Sequence, residues 1–209
     1  VIRQFKQDVF TCLLSTSNKD HATTEEESLN YSYWLPENKN NKIPLIIWLH
    51  GQDGGSESNK YQALMETKAV NLASDNIQKY FEHGAGILVP QCDTSWLITN
   101  SKDGFGNNVW APIKIHETAE KIMRPLAKLF DKIFSTEHEA EEELNEHFAS
   151  VSYYTEPLAQ LIKSFIQQNP CIDANRIYIG GSSAGGYMTI NMCIQHPELF
   201  AAAFTASEA

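Results

Sequence analysis

No apolar run in this sequence approaches the ~18 residues that a membrane-crossing helix needs. The longest, Ile43–Leu49, is strand-sized and interrupted by Pro44, so the sequence offers no membrane span. Basic residues are scarce: 16 Lys and Arg face 26 Asp and Glu, a net charge of -10. Nucleic acids and anionic membranes both reward clustered Lys and Arg, so neither is an expected partner. The four cysteines, Cys12, Cys92, Cys171 and Cys193, form no CxxC and no zinc-ribbon spacing. Cys193 falls in an expected buried helix, where a thiol acts as a small hydrophobe. A Cys92–Cys171 disulfide is conceivable, but no feature demands it. The chain starts at Val1, without Met and without the charged-then-apolar pattern of a signal peptide. That start is read as a processed or internal boundary, and the compartment stays open. His138 and His147 flank a glutamate-rich run, yet their spacing fits no HExxH. No metal and no cofactor is implied.

What is present suits one soluble domain: 209 residues, 42% apolar and 20% charged. Residues 1–30 read as a lead-in, with strand character up to Leu14 and a polar, loop-like stretch from Ser15 to Ser28. Tyr31–Leu35 ends at Pro36 and reads as a short edge strand, followed by a polar turn over 37–42. Ile43–His50 (IPLIIWLH) is apolar on both faces, as in a buried parallel strand. It empties into the glycine-rich loop Gly51–Ser56. One or two helices are expected over 61–80, and Gly86–Pro90 (GILVP) is a second buried strand. The irregular stretch 91–112 is long for a plain connection. Thr118–Phe134 and Pro157–Gln168 carry apolar residues at helical spacing, separated by the acidic run Glu137–His147. Arg176–Gly180, a helix over Gly186–Gln195 and Leu199–Thr205 complete an alternation of strands and helices. That order predicts an α/β fold with a doubly wound, mostly parallel sheet.

The segment that carries chemistry is Gly181-Ser182-Ser183-Ala184-Gly185. G-x-S-x-G is a weak pattern alone, because Gly and Ser are common. Here a strand precedes it and a helix follows, the context required of a nucleophile elbow. Such a turn strains the serine backbone and crowds its neighbours, so that only glycine fits on either side. In return the hydroxyl stands at the C-terminal edge of the sheet, over the positive end of the next helix. Ser183 has glycines two residues to each side and is the expected nucleophile; Ser182 does not. A tight glycine turn that merely links strand to helix is the plain alternative. His50-Gly51-Gln52, also following a buried strand, supports the first reading. The backbone N–H groups of Gln52 and Ala184 form the natural pair of oxyanion donors.

With these residues in view, the sequence resembles the esterase branch of the α/β-hydrolases that includes feruloyl and acetylxylan esterases, polyhydroxybutyrate depolymerases and peptidase-like esterases. The matching stretches are Tyr33–Asn38 (YWLPEN), Pro44–Gly55 (PLIIWLHGQDGG), Leu88–Trp96 (LVPQCDTSW) and Ile172–Ala203. The resemblance implies a hydrolase domain over 31–209, with 118–156 a candidate helical cap inserted over the site; a solvated surface excursion is the other reading of that segment. It also implies a Ser–His–acid triad that hydrolyses esters through an acyl-enzyme, in the chain order nucleophile, acid, histidine.

That order exposes a second shortage. After Ser183 the chain has no Asp, only Glu198 and Glu208, and one histidine, His196. His196 ends the helix after the elbow, about 20 Å from Ser183 at ~1.5 Å per residue, and is not the base. His50 reads as a buried hydrogen-bonding residue, and His83 and His116 as surface or loop residues. The resemblance therefore implies a sheet incomplete on its C-terminal side, with the acid and the histidine beyond Ala209 or on a second chain. The leading expectation is a carboxylic-ester hydrolase acting on a small-molecule or polymer-borne ester. A non-catalytic binding module that kept the elbow is the alternative, as is peptidase or acyltransferase chemistry on the same machinery. Trp96 and Trp110 lie where a sugar or aromatic acyl group would stack, although packing is the commoner role of such residues.

Overall fold

The computed structural model describes residues 5–18, 21–37, 40–52, 69–97 and 152–206. Six strands form one sheet in the order β1-β2-β4-β3-β5-β6. They are β1 (Lys6–Asn18), β2 (His21–Trp34), β3 (Ile43–Leu49), β4 (Gly86–Gln91), β5 (Ile172–Ser182) and β6 (Ala202–Ala206). β1, β2 and β4 pair antiparallel, whereas β4, β3, β5 and β6 run parallel. The helices are a single turn, α1 (Asp75–Gln78), and two full helices, α2 (Thr155–Gln168) and α3 (Ala184–Gln195). No helix among the described residues is long and apolar enough to cross a membrane.

β3 lies at the centre because both of its faces are apolar. Leu45, Ile47 and Leu49 point to one side and join the main core with Leu29, Tyr31, Leu88, Ile177 and Ile179. α2 covers that side with Leu158, Leu161, Ile162 and Phe165, and α3 with Met188 and Met192. Ile46 and Trp48 point to the other side, where Ile87 and Val89 meet Ala69 and Ala73 of a 3₁₀ turn. The period of two along β3 and β4 thus divides one apolar run between two cores. Pro44 has no N–H to give a ladder, and it sits where the β3–β5 register shifts, between Ile43 and Leu45.

α2 owes its place to Leu158, Leu161, Ile162 and Phe165, which fall on one face. Pro157 is tolerated in the first turn, where backbone N–H groups have no intrahelical partner. Asn169 ends the helix: its backbone N–H (3.1 Å) and side-chain amide (2.8 Å) both donate to the Phe165 carbonyl. Pro170 then prevents continuation.

Several expectations are corrected. Within the polar stretch Ser15–Ser28, residues 15–18 and 21–28 are strand, not loop. It forms the β1–β2 ladder, which pairs from Lys6↔Tyr33 to Asn18↔His21, so β2 runs unbroken through residue 30. Hydrogen bonding across the hairpin overrides the poor strand propensity of Glu25–Glu27. Tyr31–Leu35 is no edge strand either, because β2 lies between β1 and β4. Over 69–78 the chain forms a 3₁₀ turn and the one-turn α1. At the C-terminal side, Pro197–Leu199 is a 3₁₀ turn and β6 begins only at Ala202. All four cysteines are free, with Cys92 and Cys171 buried apart from any bridge. Of the candidate cap, residues up to 151 lie outside the described residues, as do Trp110 and the helix expected over 118–134. Its last residues belong to the core, where Tyr154 is fully buried and Thr155 opens α2.

Leu88 is fully buried at the centre of β4, whereas Leu13 on β1 is 65% exposed. Leu88→Ala is expected to cost about 2–5 kcal/mol and Leu13→Ala within about 0.5 kcal/mol, read from urea-unfolding midpoints of the protein.

Candidate active site

The parallel register brings two strand ends side by side: Leu49 of β3 pairs with Gly181 of β5. Ser183 and Ala184 follow Gly181 closely, and His50, Gly51 and Gln52 follow Leu49. Both segments therefore emerge at the C-terminal edge of the sheet.

At that edge Ser183 adopts φ 52° and ψ -120°, the sole non-glycine residue with positive φ among the described residues. A side-chain-bearing residue pays about 1–3 kcal/mol for such a conformation. Three hydrogen bonds hold it. The Ser183 N–H donates to the Ala206 carbonyl (3.0 Å), and its own carbonyl accepts from the N–H groups of Gly186 (2.8 Å) and Tyr187 (3.1 Å). Ser182 is still in the ladder, opposite Ala206. The turn thus singles out Ser183, which is half-buried and makes no side-chain cap to α3.

The flanking glycines are required by contact. A Cβ on Gly181 would lie 2.4 Å from the carbonyl carbon and oxygen of Gly185. A Cβ on Gly185 would lie 2.4 Å from the Leu49 carbonyl oxygen and 2.6 Å from that of His50. Backbone packs directly on backbone, so α3 begins against the end of β3. Ala184 is the first residue of α3, where amide N–H groups lack intrahelical acceptors. With no acidic residue in the first turn, the positive helix end stays uncompensated.

His50 is fully buried. Its Nδ1 lies 2.5 Å from the Gly51 carbonyl oxygen, and its Nε2 lies 3.2 Å from the Cys92 backbone N–H. Since Cys92 N–H can only donate, Nε2 is the bare nitrogen and Nδ1 carries the proton. Burial pushes the His50 pKa down to about 4, opposed only in part by the bond to Gly51. Burial likewise pushes the Cys92 thiol up, and it stays protonated. Gln52 is exposed, and its Oε1 accepts a 2.5 Å hydrogen bond from the Ser95 hydroxyl. Ser95 Oγ in turn accepts the Leu97 N–H at 3.2 Å, which ties the loop after β3 to the loop after β4. Nothing in the sequence singled out Ser95, although it lies within the Leu88–Trp96 resemblance.

Trp96 does not offer a stacking surface. It is fully buried, with ring centroids 4.9 Å from His50 and 5.6 Å from Tyr154, so both protein neighbours occupy the space expected for a ligand. The Tyr154 hydroxyl donates to Asp93, and burial followed by this carboxylate raises its pKa.

No described side chain hydrogen-bonds the Ser183 hydroxyl. His196 caps the far end of α3, its Nε2 3.6 Å from Glu156 and its Nδ1 3.7 Å from Glu198. His83 lies beside Glu82. His116, His138 and His147 lie outside the described residues.

Residues 153–207, which run from Tyr153 through α2, the elbow and α3 to the end of β6, match the prolyl oligopeptidase family model. No curated protein sequence matches the chain. Among solved structures, a thermostable esterase superposes with a TM-score of 0.52 at 24% identity, over 92% of this chain and 39% of that one. The fold is that of an α/β-hydrolase. The chain thus spans about two fifths of the length of that esterase. Also similar are the Pyrococcus horikoshii acylaminoacyl peptidase (TM-score 0.45, 20% identity, 97% of this chain and 23% of that) and an acetyl xylan esterase from Aspergillus awamori (TM-score 0.45, 14% identity, 95% and 53%).

Two outcomes test the geometry of this site. Gly185→Ala forces Cβ into two backbone carbonyls, which cannot move as side chains do. A loss at or above the top of the ~1–3 kcal/mol overpacking range is expected, read as a lowered melting temperature or insoluble protein. Stability should also depend on His50. Its folded pKa lies below the ordinary value of 6.5, so the unfolded state binds the proton first. The penalty is absent above about pH 6.5 and grows as pH falls toward about 4, reaching on the order of 3 kcal/mol. His50→Gln should flatten that part of the stability–pH curve, measured by urea unfolding at pH 7 and pH 4.5 against wild type.

Proposed function

We propose that this chain supplies the nucleophile and the oxyanion donors of a serine hydrolase that cleaves carboxylic esters through an acyl-enzyme. The observation that carries the reading is the strained backbone of Ser183, a non-glycine residue held at φ 52° where a strand turns into a helix. Strain of this kind persists only where surrounding contacts over-determine it, and it clusters at active sites. Ser183 Oγ attacks the ester carbonyl carbon while its proton passes to a base. The carbonyl oxygen becomes an oxyanion and accepts hydrogen bonds from the Gln52 and Ala184 N–H groups. Collapse of the tetrahedral adduct expels the alcohol, which takes the proton, and leaves Ser183 acylated. Water then attacks the acyl carbon, and the acid and Ser183 are released. The base and its carboxylate partner are proposed to come from sequence beyond Ala209 or from a second chain. In the chain order nucleophile, acid, histidine, the one histidine that follows Ser183 in this sequence is His196, and it lies beside Glu156 and Glu198 at the far end of α3.

Amide cleavage is the second reading, favoured by the prolyl oligopeptidase match over 153–207. The same nucleophile and donors would serve it, with an amine as leaving group. A binding module without catalysis remains distinct from both.

A fluorophosphonate should label the intact protein at Ser183. Ser183→Ala should abolish labelling and lower kcat at least about 10³-fold, whereas Ser182→Ala should leave labelling in place. Paired p-nitrophenyl ester and aminoacyl p-nitroanilide substrates separate ester from amide cleavage. Absence of labelling and turnover in the intact, folded protein would sink the hydrolase reading in favour of the binding module.

A further inference from the structure

Among the described residues, His50 is the one buried imidazole beside the site that the proposed chemistry leaves without a role. Its bonds reach main chain on both sides, and the Cys92 thiol lies 3.5 Å from Nε2. Nδ1–H donates to the carbonyl of Gly51, and Nε2 accepts from the N–H of Cys92 at the end of β4. Its ring is held by Trp96, 4.9 Å away, and is wholly shielded from solvent. The acceptor it grips is not arbitrary. The Gly51 carbonyl belongs to the peptide group whose nitrogen is that of Gln52. A trans peptide is planar, with C=O and N–H pointing opposite ways. Fixing the carbonyl toward the buried ring therefore turns the Gln52 N–H away from the core, toward the side on which Gln52 is exposed.

We infer that His50 is a positioning residue, which aims the Gln52 N–H at the oxyanion by gripping the opposite end of the same peptide plane. Glycine at 51 makes such a grip necessary, because a glycine peptide rotates more freely than any other. The hydrogen bond from Nδ1–H to the Gly51 carbonyl opposes a flip of that peptide. A flip would present a carbonyl oxygen, rather than a donor, to a developing negative charge. Gly185 holds the opposing wall: it abuts the His50 carbonyl, so the Ala184 donor is located by the same residue whose side chain orients Gln52. The Ser95 hydroxyl holds the Gln52 side chain, whereas His50 grips the backbone plane.

This inference rests on the serine-hydrolase reading, and its test separates the two. In the intact protein, His50→Phe keeps the bulk against Trp96 and removes the imidazole's hydrogen bonds to Gly51 and Cys92, whereas His50→Gln restores one donor and one acceptor. Each is assayed with a p-nitrophenyl ester and with its thionoester, whose larger and weaker-accepting sulfur fits poorly among donors set about 2.7–3.1 Å from oxygen. His50→Phe is expected to lower kcat roughly ten- to hundredfold, with KM within about twofold. Its preference for the ester over the thionoester should shrink at least tenfold, and His50→Gln should restore most of both. A purely structural role would lower the melting temperature without moving that preference. Unchanged preference in folded His50→Phe, or a loss confined to KM, overturns the inference and leaves Ser183 as nucleophile. Should the Phe variant not fold, His50→Leu and His50→Met take its place: a shrunken preference in a folded variant supports the grip, and an unchanged one overturns it. A wild type without Ser183-dependent turnover takes down both readings.

Discussion

Two glycines allow three pieces of backbone to touch where side chains would hold them apart. Gly181 lies against Gly185, and Gly185 lies against the carbonyls of Leu49 and His50. The end of β5, the start of α3 and the end of β3 are thereby locked into one junction. Everything at the site inherits its position from that contact. Ser183 is bent into its strained conformation because the chain must reverse within so little space, and the orphan amide of Ala184 lands beside the loop that carries Gln52. The cost of the strain is offset by the hydrogen bond Ser183 donates to Ala206 and the two it accepts from Gly186 and Tyr187, and by the buried apolar surface on both sides of the sheet.

The two sides are unequal in what they do. The face covered by α2 and α3 holds the larger core and reaches the site through aromatic contacts. Phe165 packs edge-on against Tyr31 and Tyr33, and Tyr154 packs edge-on against Trp96, which lies over His50. The Tyr154–Trp96–His50 contacts fasten the loop after β4 to the loop after β3 and shield the imidazole from solvent. Among the described residues the opposite face holds the smaller cluster, and Trp48 there stacks on the exposed Phe204 of β6, centroids 6.4 Å apart. On the other flank, the β1–β2 ribbon continues past Asn30, beyond the C-terminal end of β4. It therefore extends on the same edge of the sheet as Ser183.

Legibility in the sequence followed how local each requirement is. The elbow was readable because the need for glycine on either side of Ser183 arises within a few residues. β3 was readable because burial on both faces demands an unbroken apolar run, and α2 because its apolar residues repeat at 3–4. The β1–β2 hairpin was not. Glu25, Glu26 and Glu27 look like a loop, and it is cross-strand pairing that makes them a strand: Glu27 lies opposite Cys12 and accepts a 2.9 Å hydrogen bond from the Tyr153 hydroxyl. Trp96 was misplaced for a similar reason. Whether a tryptophan faces a ligand or a neighbour depends on Tyr154, which is distant in sequence and adjacent in space.

By itself the sequence determined an alternating α/β chain, the strand–turn–helix that isolates Ser183 and the shortage of any nearby base downstream of it. These follow from residue-level preferences: which side chains tolerate a left-handed turn, which bury, and which are absent. Only the tertiary structure decided that the ends of β3 and β5 emerge side by side, that β2 lies inside the sheet and that His50 grips the Gly51 carbonyl. Those outcomes depend on strand register and on contacts between residues far apart in the chain, and a register cannot be read from either strand alone.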